Sequence, residues 1–523
     1  MDNTQEILKF FIKKGLLVDR DVLNLFKETE DVETAKILIE NIGVQTQKKL
    51  ITKNLFEENK DKVNQILLNL PEEKKKKVEK LKIQLGLSIH ISKEISKEIV
   101  EEIKEEPTEQ IDEDVKLVSA IPALSKKLEV QDFVKYFRRR FQEMRGYLQE
   151  HPQLDNLISI NKILSTRQAI SIIGIVYDKK TTKNKNILLE VEDLTGRIRV
   201  LVNQNKPELY EQAEEIPLDS VLGFKGVGDR NILFANEIIF PDSMLPEKKK
   251  SPVEEYALFI GDLHIGSKLF MENNFLKFVD YLNGKIPNTP EVEKIKYLFI
   301  VGDLVAGVGI YPGQENELSI PDVEAQYEKV AELLGKIRKE IKIILSPGNH
   351  DALRLMEPQP IFDEKYSWPL FDLKNVIMVG NPAQVNISAK KGFSGFDVLI
   401  YHGYSYHYYA GNIPRLIKEK AVHQPDKIMQ YLLKFRHLAP THSSTLYFPS
   451  ETDYFIISKI PDIFFSGHTH KSAVSYYNNI LVISSSTWES LTAFQERMGN
   501  EPDFCKVPML NLKTRAVKIL DFE

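Results

Sequence analysis

Five short motifs in the second half of the chain bring together side chains that can bind metal ions. They are Gly261-Asp262-Leu263-His264, Gly302-Asp303, Gly348-Asn349-His350-Asp351, His402-Gly403 and Gly467-His468-Thr469-His470. Each motif directly follows a run of apolar residues that is typical of a buried strand. The motifs therefore predict one site that is assembled from five strand ends.

The residue types in this set favour a two-metal site. Two carboxylates, one amide oxygen and five imidazoles suit borderline divalent ions such as Mn²⁺, Fe²⁺ or Zn²⁺, whereas a Mg²⁺ or Ca²⁺ cage consists of oxygen ligands. Two metal ions about 4 Å apart can clamp both the attacking and the leaving oxygen of a phosphoryl transfer. The set therefore predicts hydrolysis of a phosphoester.

Each motif alone also has an ordinary structural explanation. A Gly-Asp pair after a strand is often a turn, and a histidine such as His402 is commonly packed in a core. The motifs around His350 and His468 are more specific, and all five occur in order, each at the end of a strand. The combination favours the metal site over the structural explanation.

The strands that must position these residues are continuous apolar runs, for example 256–260, 297–301 and 463–466. Strands that are buried on both faces have this pattern, and open α/β sheets gather their ligands at the carboxyl ends of the strands. We therefore expect residues 253–523 to form one α/β domain with all five motifs at one edge.

A helix with one apolar stripe is predicted ahead of this domain, from Phe133 to Leu148. Basic residues surround the stripe: Lys135, Arg138, Arg139, Arg140 and Arg145. They form either a solvated face or a face that contacts phosphates.

A β-barrel is predicted between residues 169 and 240, where the apolar period becomes two in five short segments. Five strands with an Asp-x-x-Gly turn at 193–196 are typical of an OB-fold. Lys183 and Lys185 fall in the first loop, where such barrels often bind single strands. A barrel that only packs against its neighbours is the alternative.

The N-terminal part differs in character. Residues 1–70 have helical periodicity and almost no glycine or proline, which predicts a helical module. Residues 71–129 are rich in lysine and glutamate and are expected to be a charged flexible linker, with a docking peptide for a partner as the alternative.

Composition excludes several classes of protein. With 70 basic and 75 acidic residues the net charge is −5, so a generally basic protein that coats nucleic acid is excluded. The single cysteine, Cys505, excludes a disulfide framework and any site with several cysteine ligands. No apolar run is long enough to span a bilayer, and the N-terminus lacks the pattern of a signal peptide. We expect a cytoplasmic protein.

The five motifs resemble those of the calcineurin-like metallophosphoesterases, whose fold is an α/β sandwich. The resemblance implies three ligands for a first metal, three for a second and one bridging carboxylate. In that order the residues are Asp262, His264 and His470; Asn349, His402 and His468; and Asp303.

The resemblance also implies two catalytic side chains. His350 would act on the leaving group, and Asp351 would orient His350, as a carboxylate commonly orients a catalytic imidazole.

An OB-fold directly before such a domain resembles the small subunits of replicative DNA polymerases. Because the ligand set is intact, the archaeal family-D members are the most similar group. The stretches 424–429, 436–440, 461–463, 487–488 and 492–495 agree with them. This resemblance implies a proofreading 3′→5′ exonuclease that favours Mn²⁺, with Fe, Zn or Mg as alternatives. It also implies DNA with single-stranded 3′ ends as substrate, and a large catalytic subunit as partner.

Two other functions are open at this point. The chain is alternatively a non-catalytic scaffold for the large subunit, or a free-standing phosphoesterase that acts on small phosphoesters or broken DNA ends. Intact metal ligands argue against the scaffold, because burying such groups without metal is costly. The barrel that precedes the phosphoesterase domain argues against the free-standing enzyme.

Smaller candidates for nucleic-acid binding lie near the fourth motif. Tyr404 and Tyr406 either stack on unpaired bases or pack on the domain. Arg436 either contacts a phosphate or caps a helix. At the N-terminus, the spacing from Gln5 to Ile12 is compatible with a sliding-clamp motif, but also with any amphipathic helix.

Overall fold

The computed structural model describes residues 17–18, 50–51, 115–118, 121–122 and 127–523, except Met498 and Asn500. Residues Met1–Gln110 and Ile111–Glu523 are two separate compact units. In the first unit, strand β1 (Leu17–Val18) pairs in parallel with β2 (Leu50–Ile51). The rest of the helical module predicted for 1–70, including Gln5 and Ile12, lies outside the described residues.

The second unit contains strands and helices in alternation. Its strands are β3 (Val115–Leu117), β4 (Gln168–Thr181), β5 (Ile187–Glu192), β6 (Arg197–Val202), β7 (Val221–Asp229), β8 (Ile232–Ile239), β9 (Tyr256–Gly261), β10 (Ile295–Val301), β11 (Lys342–Ser346), β12 (Val376–Met378), β13 (Ala383–Ile387), β14 (Phe396–Tyr401), β15 (Ile463–Ser466), β16 (Ala473–Tyr477), β17 (Ile480–Ser484), β18 (Lys506–Asn511) and β19 (Val517–Asp521). Its α-helices are α1 (Val130–Leu148), α2 (Pro207–Glu214), α3 (Glu272–Leu282), α4 (Val323–Gly335), α5 (Glu364–Phe371), α6 (Tyr406–Asn412), α7 (Pro414–Lys418), α8 (Pro425–Phe435) and α9 (Ala493–Arg497). None of the helices in the described part of the chain is long and apolar enough to cross a membrane.

The predicted barrel is present and is closed by five strands. Their order is β4-β5-β6-β8-β7, and β7 pairs back with β4. Only the β6–β8 pair among them is parallel. Along β5 buried residues alternate with partly exposed ones, which is the period of two seen in the sequence.

Two six-stranded sheets form the predicted α/β domain. Their strand orders are β12-β11-β10-β9-β18-β19 and β16-β17-β15-β14-β13-β3. An apolar core lies between them, where the rings of Phe259, Phe299 and Phe465 pack with centroids 5.0 to 6.4 Å apart. Helices α3 and α4 bury Phe278 and Leu333 in a second core, on the other face of the first sheet.

The sheets bring the motif-bearing strand ends to one edge. In the first sheet β9, β10 and β11 run parallel, and in the second sheet β14 and β15 run parallel. The carboxyl ends within each set therefore meet at the same edge. The five motifs follow these five strands.

Strand β3 corrects one predicted boundary. Residues 115–117 pair antiparallel with 385–387 of β13, so the expected linker 71–129 does not continue unbroken to residue 129. Val115 is buried against the sheet, while Lys116 and Leu117 are exposed. Three apolar residues next to a charged run, at 115, 117 and 118, are too weak a pattern to predict a three-residue strand.

The barrel and the phosphoesterase-like domain share a single apolar core. Barrel residues such as Val200 and Phe224 belong to the same buried cluster as Tyr409, Leu416 and Tyr431 of helices α6 to α8. The connecting residues 246–252 also pack on the domain: Lys249 Nζ lies 2.7 Å from Asp462 Oδ2, and the Ser251 N–H donates to the Leu512 carbonyl. The connecting segment is therefore anchored to the domain.

Arg140 lies in a buried polar cluster and not on the solvated face predicted for it. Its Nε is 2.6 Å from Asp453 Oδ2, and Tyr136 Oη donates to Asp453 Oδ1 at 2.6 Å. His437 Nε2 is 3.1 Å from Asp453 Oδ2. Lys135, Arg138, Arg139 and Arg145 are exposed, as expected. The cluster fastens α1 to the segment around residue 453.

This cluster makes stability depend on pH. Burial lowers the pKa of His437 to about 4. The unfolded chain, with a histidine pKa near 6.5, therefore binds more protons between pH 6.5 and 4, and stability falls as pH falls through that window. We expect His437 alone to cost on the order of 2 kcal/mol of unfolding free energy between pH 7 and pH 5.

Urea unfolding at pH 7 and pH 5 measures this loss. The matched variant is His437→Gln, which keeps a side-chain donor but cannot titrate, and its stability should fall less between the two pH values. Equal losses in the two proteins would contradict the assignment.

Candidate metal centre

Apart from Asp351, all eight predicted metal-binding and catalytic side chains meet at the edge where the five motif-bearing strands end. Asp262 and His264 follow β9, Asp303 follows β10, and Asn349 follows β11. Of these residues, His264, Asp303 and Asn349 border a cavity of about 750 Å³ together with His350, His468 and His470, whereas Asp262 is fully buried. His402 is fully buried behind it. The convergence predicted from the strand ends is therefore present.

One group of possible ligand atoms consists of Asp262, His264 and His470, whose atoms all lie within 4.8 Å of one another. The Nε2 atoms of His264 and His470 are 3.1 Å apart. His470 Nε2 is 3.5 Å from Asp262 Oδ1. We call this group cluster A.

A second group consists of Asp303, His402 and His468. His402 Nε2 is 3.3 Å from Asp303 Oδ2 and 3.0 Å from Asn349 Oδ1. We call this group, with Asn349, cluster B. Asp303 also groups with His264 and His350, so its carboxylate lies between the two clusters.

The donor set fits divalent metal ions. Each cluster offers imidazole nitrogens and carboxylate oxygens, which is the mixture that Mn, Fe and Zn accept. Burial lowers the pKa of His264 and of His468, so both rings are neutral, as metal ligation requires. Burial opposes a charge on His402, but the Asp303 carboxylate outweighs it and raises the His402 pKa to about 9. Cluster B therefore attracts positive charge.

The backbone at these residues is strained. Five of the predicted ligands have positive φ between 49° and 69°: Asp262, His264, Asp303, His468 and His470. Residues with a Cβ rarely adopt this conformation, which costs of order 1–3 kcal/mol each. Strain of this kind persists where the fold holds it in place, and it is typical of functional sites.

Two glycines make room for the ligands. A Cβ on Gly348 would lie 2.3 Å from Asp303 Oδ1, and one on Gly302 would lie 2.1 Å from His402 Nδ1. Gly302 also has φ of +68°. Both positions require the absence of a side chain, which explains the glycine that begins these two motifs.

The structure corrects the expected role of Asp351. Its carboxylate accepts hydrogen bonds from the Gly348 N–H at 2.8 Å and from the Tyr327 hydroxyl at 3.1 Å. The ring of His350 is held instead by the Ala306 carbonyl, 2.8 Å from Nδ1. Asp351 therefore shapes the loop that carries Asn349 and His350, and a backbone oxygen orients the imidazole.

The tyrosines near the fourth motif divide into two kinds. Tyr404 borders the cavity, and its ring centroid is 5.6 Å from that of His468. Tyr406 is fully buried against Tyr401, so the predicted stacking of Tyr406 on a base is wrong. The crowded sequence forms helix α6, and the helical period turns Tyr406 and Tyr409 into the core.

Arg436 has the structural role that was the alternative to a phosphate contact. It ends helix α8 in a left-handed conformation, and its guanidinium donates to the carbonyls of Ile457 and Ser458. It also stacks over the ring of Tyr147 at 3.8 Å. These contacts use the guanidinium for packing, so the predicted phosphate contact of Arg436 is not supported.

Lys183 and Lys185 lie exposed in the loop between β4 and β5, where the sequence predicted them. Tyr177, the aromatic residue nearest to them in sequence, is covered on one face by the guanidinium of Arg197 at 3.8 Å. Binding of nucleic acid by these lysines stays a prediction.

Several residues of the site carried no usable signal in the sequence. The amide of Gln495 lies 3.1 Å from His470 Nδ1 and so fixes that ring. Gln314, which is buried, donates to the same Ala306 carbonyl that holds His350. Glu489 adds a buried carboxylate at the cavity wall. Single polar residues have no periodicity that would predict such contacts.

Comparison with known proteins agrees with this geometry. The family model for calcineurin-like phosphoesterases matches residues 257–472. The chain is 38% identical over 403 residues to the DNA polymerase II small subunit of Pyrococcus furiosus, an alignment that covers 75% of this chain and 64% of that protein. The corresponding protein of Methanothermobacter thermautotrophicus is 37% identical, with 75% and 80% covered. That of Thermoplasma acidophilum is 32% identical, with 77% and 80% covered. The chain thus spans less than two thirds of the Pyrococcus furiosus relative.

Proposed function

Because the chain belongs to the family of archaeal DNA polymerase II small subunits, the small subunits of family-D polymerases, we propose that it is a metal-dependent nuclease subunit. Its reaction is hydrolysis of DNA phosphodiesters from the 3′ end. It proofreads beside a separate large polymerising subunit.

The observation that carries this proposal is the pair of clusters that share Asp303. Within the described residues, no lysine or arginine borders the cavity. A phosphodiester in the cavity therefore depends on bound cations for its positive partners. Two divalent ions there, with Mn²⁺ favoured, would supply Lewis-acid polarisation of the phosphoryl oxygens.

The chain's own side chains hold that arrangement. Asp303 Oδ1 accepts a hydrogen bond from the backbone N–H of His350 at 2.8 Å. This bond fixes the loop of His350 relative to both clusters. A carbonyl oxygen only accepts, so the proton of His350 that faces Ala306 is on Nδ1. In its imidazolium form His350 also carries a proton on Nε2, and this is the proton that it would donate to the leaving 3′-oxygen.

The surroundings support a single-stranded DNA end as substrate. Tyr404 offers an aromatic face at the cavity, and stacking on aromatic rings is a common way to hold unpaired bases. The barrel order 1-2-3-5-4, with helix α2 between its third and fourth strands, supports its assignment as an OB-fold. The exposed Lys183 and Lys185 would contact the strand further from the site.

Degradation of a single-stranded oligonucleotide labelled at its 5′ end tests the proposal. With Mn²⁺ the full chain should produce a ladder that shortens from the 3′ end, and chelation of the metal should stop the reaction. The assay is repeated with the large subunit of a family-D polymerase. Shortening from the 5′ end would contradict the proposed 3′→5′ direction. No Mn²⁺-dependent cleavage under either condition would contradict the nuclease and leave the scaffold function.

A further inference from the structure

A buried network of three polar side chains lies beneath cluster B. Asn381, Glu357 and Gln359 are each at most 2% exposed. Asn381 Nδ2 donates to Glu357 Oε1 at 3.0 Å and to Gln359 Oε1 at 2.8 Å. The backbones of Gln359 and Asn381 also exchange two hydrogen bonds. The three side chains therefore form one rigid unit.

This network holds the backbone of two ligand loops. Asn381 Oδ1 accepts the N–H of His402 at 2.8 Å. Gln359 Nε2 donates to the carbonyl of Gly348 at 3.1 Å, directly before Asn349. His402 and Asn349 come from different sheets, and both belong to cluster B. The network therefore connects the backbones of these two loops, in addition to the side-chain contact between His402 Nε2 and Asn349 Oδ1.

The orientation of each amide is determined by its partners. Asn381 Oδ1 faces a backbone donor, while its Nδ2 faces two acceptors, so a flipped amide would lose all three hydrogen bonds. Glu357 Oε2 is satisfied in turn by the hydroxyls of Tyr401 at 3.1 Å and Thr445 at 2.6 Å. A fully satisfied buried network of this kind rigidifies what it touches.

Cluster A is supported by different residues. Gln495 fixes His470, and the Asp262 carbonyl accepts from Thr487 Oγ1 at 2.9 Å and from the Trp488 N–H at 3.0 Å. None of these contacts involves Asn381, Glu357 or Gln359. The network of Asn381, Glu357 and Gln359 therefore contacts ligand loops of cluster B and none of these supports of cluster A, although the His468 N–H donates to the Asp262 carboxylate.

We propose that Asn381 is the positioning residue of cluster B, and that with Glu357 and Gln359 it sets the affinity of one metal ion without affecting the other. The inference rests on the proposed function only in that the clusters bind metal. Partners that orient metal ligands typically contribute 10- to 100-fold to metal affinity.

Isothermal titration calorimetry, with Mn²⁺ added to the chain, tests the inference. The unaltered chain should bind two ions. Asn381→Ala should bind one ion as before and the other with affinity reduced by about 10- to 100-fold. Gln359→Leu is a second variant with the same expected result. High Mn²⁺ should restore hydrolysis by both.

The matched control is Asn375→Ala. Asn375 is also a buried asparagine, but it donates to the Ile341 carbonyl at the amino ends of β11 and β12, the opposite edge of the sheet. Its replacement should lower the thermal midpoint and leave both Mn²⁺ affinities unchanged.

Single-site backgrounds identify the affected ion. His470→Ala should leave only the ion of cluster B, and adding Asn381→Ala should then weaken the binding of that ion. His402→Ala should leave only the ion of cluster A, and adding Asn381→Ala should not weaken the binding of that ion. If the unaltered chain binds no Mn²⁺, the proposed function fails. If it binds two and Asn381→Ala changes neither affinity, or both equally, this inference fails.

Discussion

Asp303→Asn is expected to abolish hydrolysis and to reduce bound Mn²⁺ from two ions to at most one per chain. The Asp303 carboxylate lies between the two clusters, with Oδ2 3.3 Å from His402 Nε2 and 3.9 Å from His264 Nε2. An amide keeps the shape but loses the charge that both ions would share. Because a metal ion contributes several kcal/mol of transition-state stabilisation, the rate should fall by about 10³-fold or more.

Metal analysis of the purified variant and the oligonucleotide assay measure these two effects. The matched control is Asp242→Asn, because Asp242 is a partly buried carboxylate that accepts from Tyr477 Oη at the opposite edge of the second sheet. The control should retain both ions and full activity. Two Mn²⁺ ions per chain in Asp303→Asn would show that Asp303 is not the shared ligand.

His350→Ala is expected to separate catalysis from metal binding. The ring is held by Ala306 through Nδ1, and Nε2 is available for proton transfer to the leaving group. Loss of a general acid or base costs typically 10²- to 10⁴-fold in rate. The Mn²⁺ content should stay at two per chain, because clusters A and B keep all of their ligands.

Single-turnover rates and metal content of the same preparation test this separation. His423→Ala is a suitable control, since His423 lies outside the cavity at residues 421–423. It should behave like the unaltered chain. Loss of metal in proportion to loss of rate would identify His350 as a ligand, which its position near His264 and Asp303 also allows.

The convergence of the site was predictable because it depends on strand order and direction. Apolar runs before Asp262, Asp303 and Asn349 predict parallel buried strands, and parallel strands gather their carboxyl ends. The left-handed backbone at residues such as His468 was not predictable, since aspartate and histidine rarely adopt it. That conformation is imposed by tertiary contacts.

The errors have identifiable physical causes. Asp351 next to His350 in sequence suggested a hydrogen bond, but the tight loop turns its carboxylate back to the Gly348 N–H. Arg140 was assigned to a solvated face because of its charge, although it lies four residues from Tyr136 and from Met144 and so on the buried side of α1. Its partner Asp453 is 313 residues away, and nothing local indicates it.

The barrel and the last domain share an apolar core, so separating them would expose that core to water. Tyr431 Oη donates to the Glu215 carbonyl, and Arg415 Nε lies 2.6 Å from Glu215 Oε1, so the barrel surface is matched to helices α7 and α8 in detail. A barrel from another protein would not fit this surface without rebuilding both sides. A change on one side of this surface therefore requires a matching change on the other side, and the barrel and the last domain behave as one structural unit.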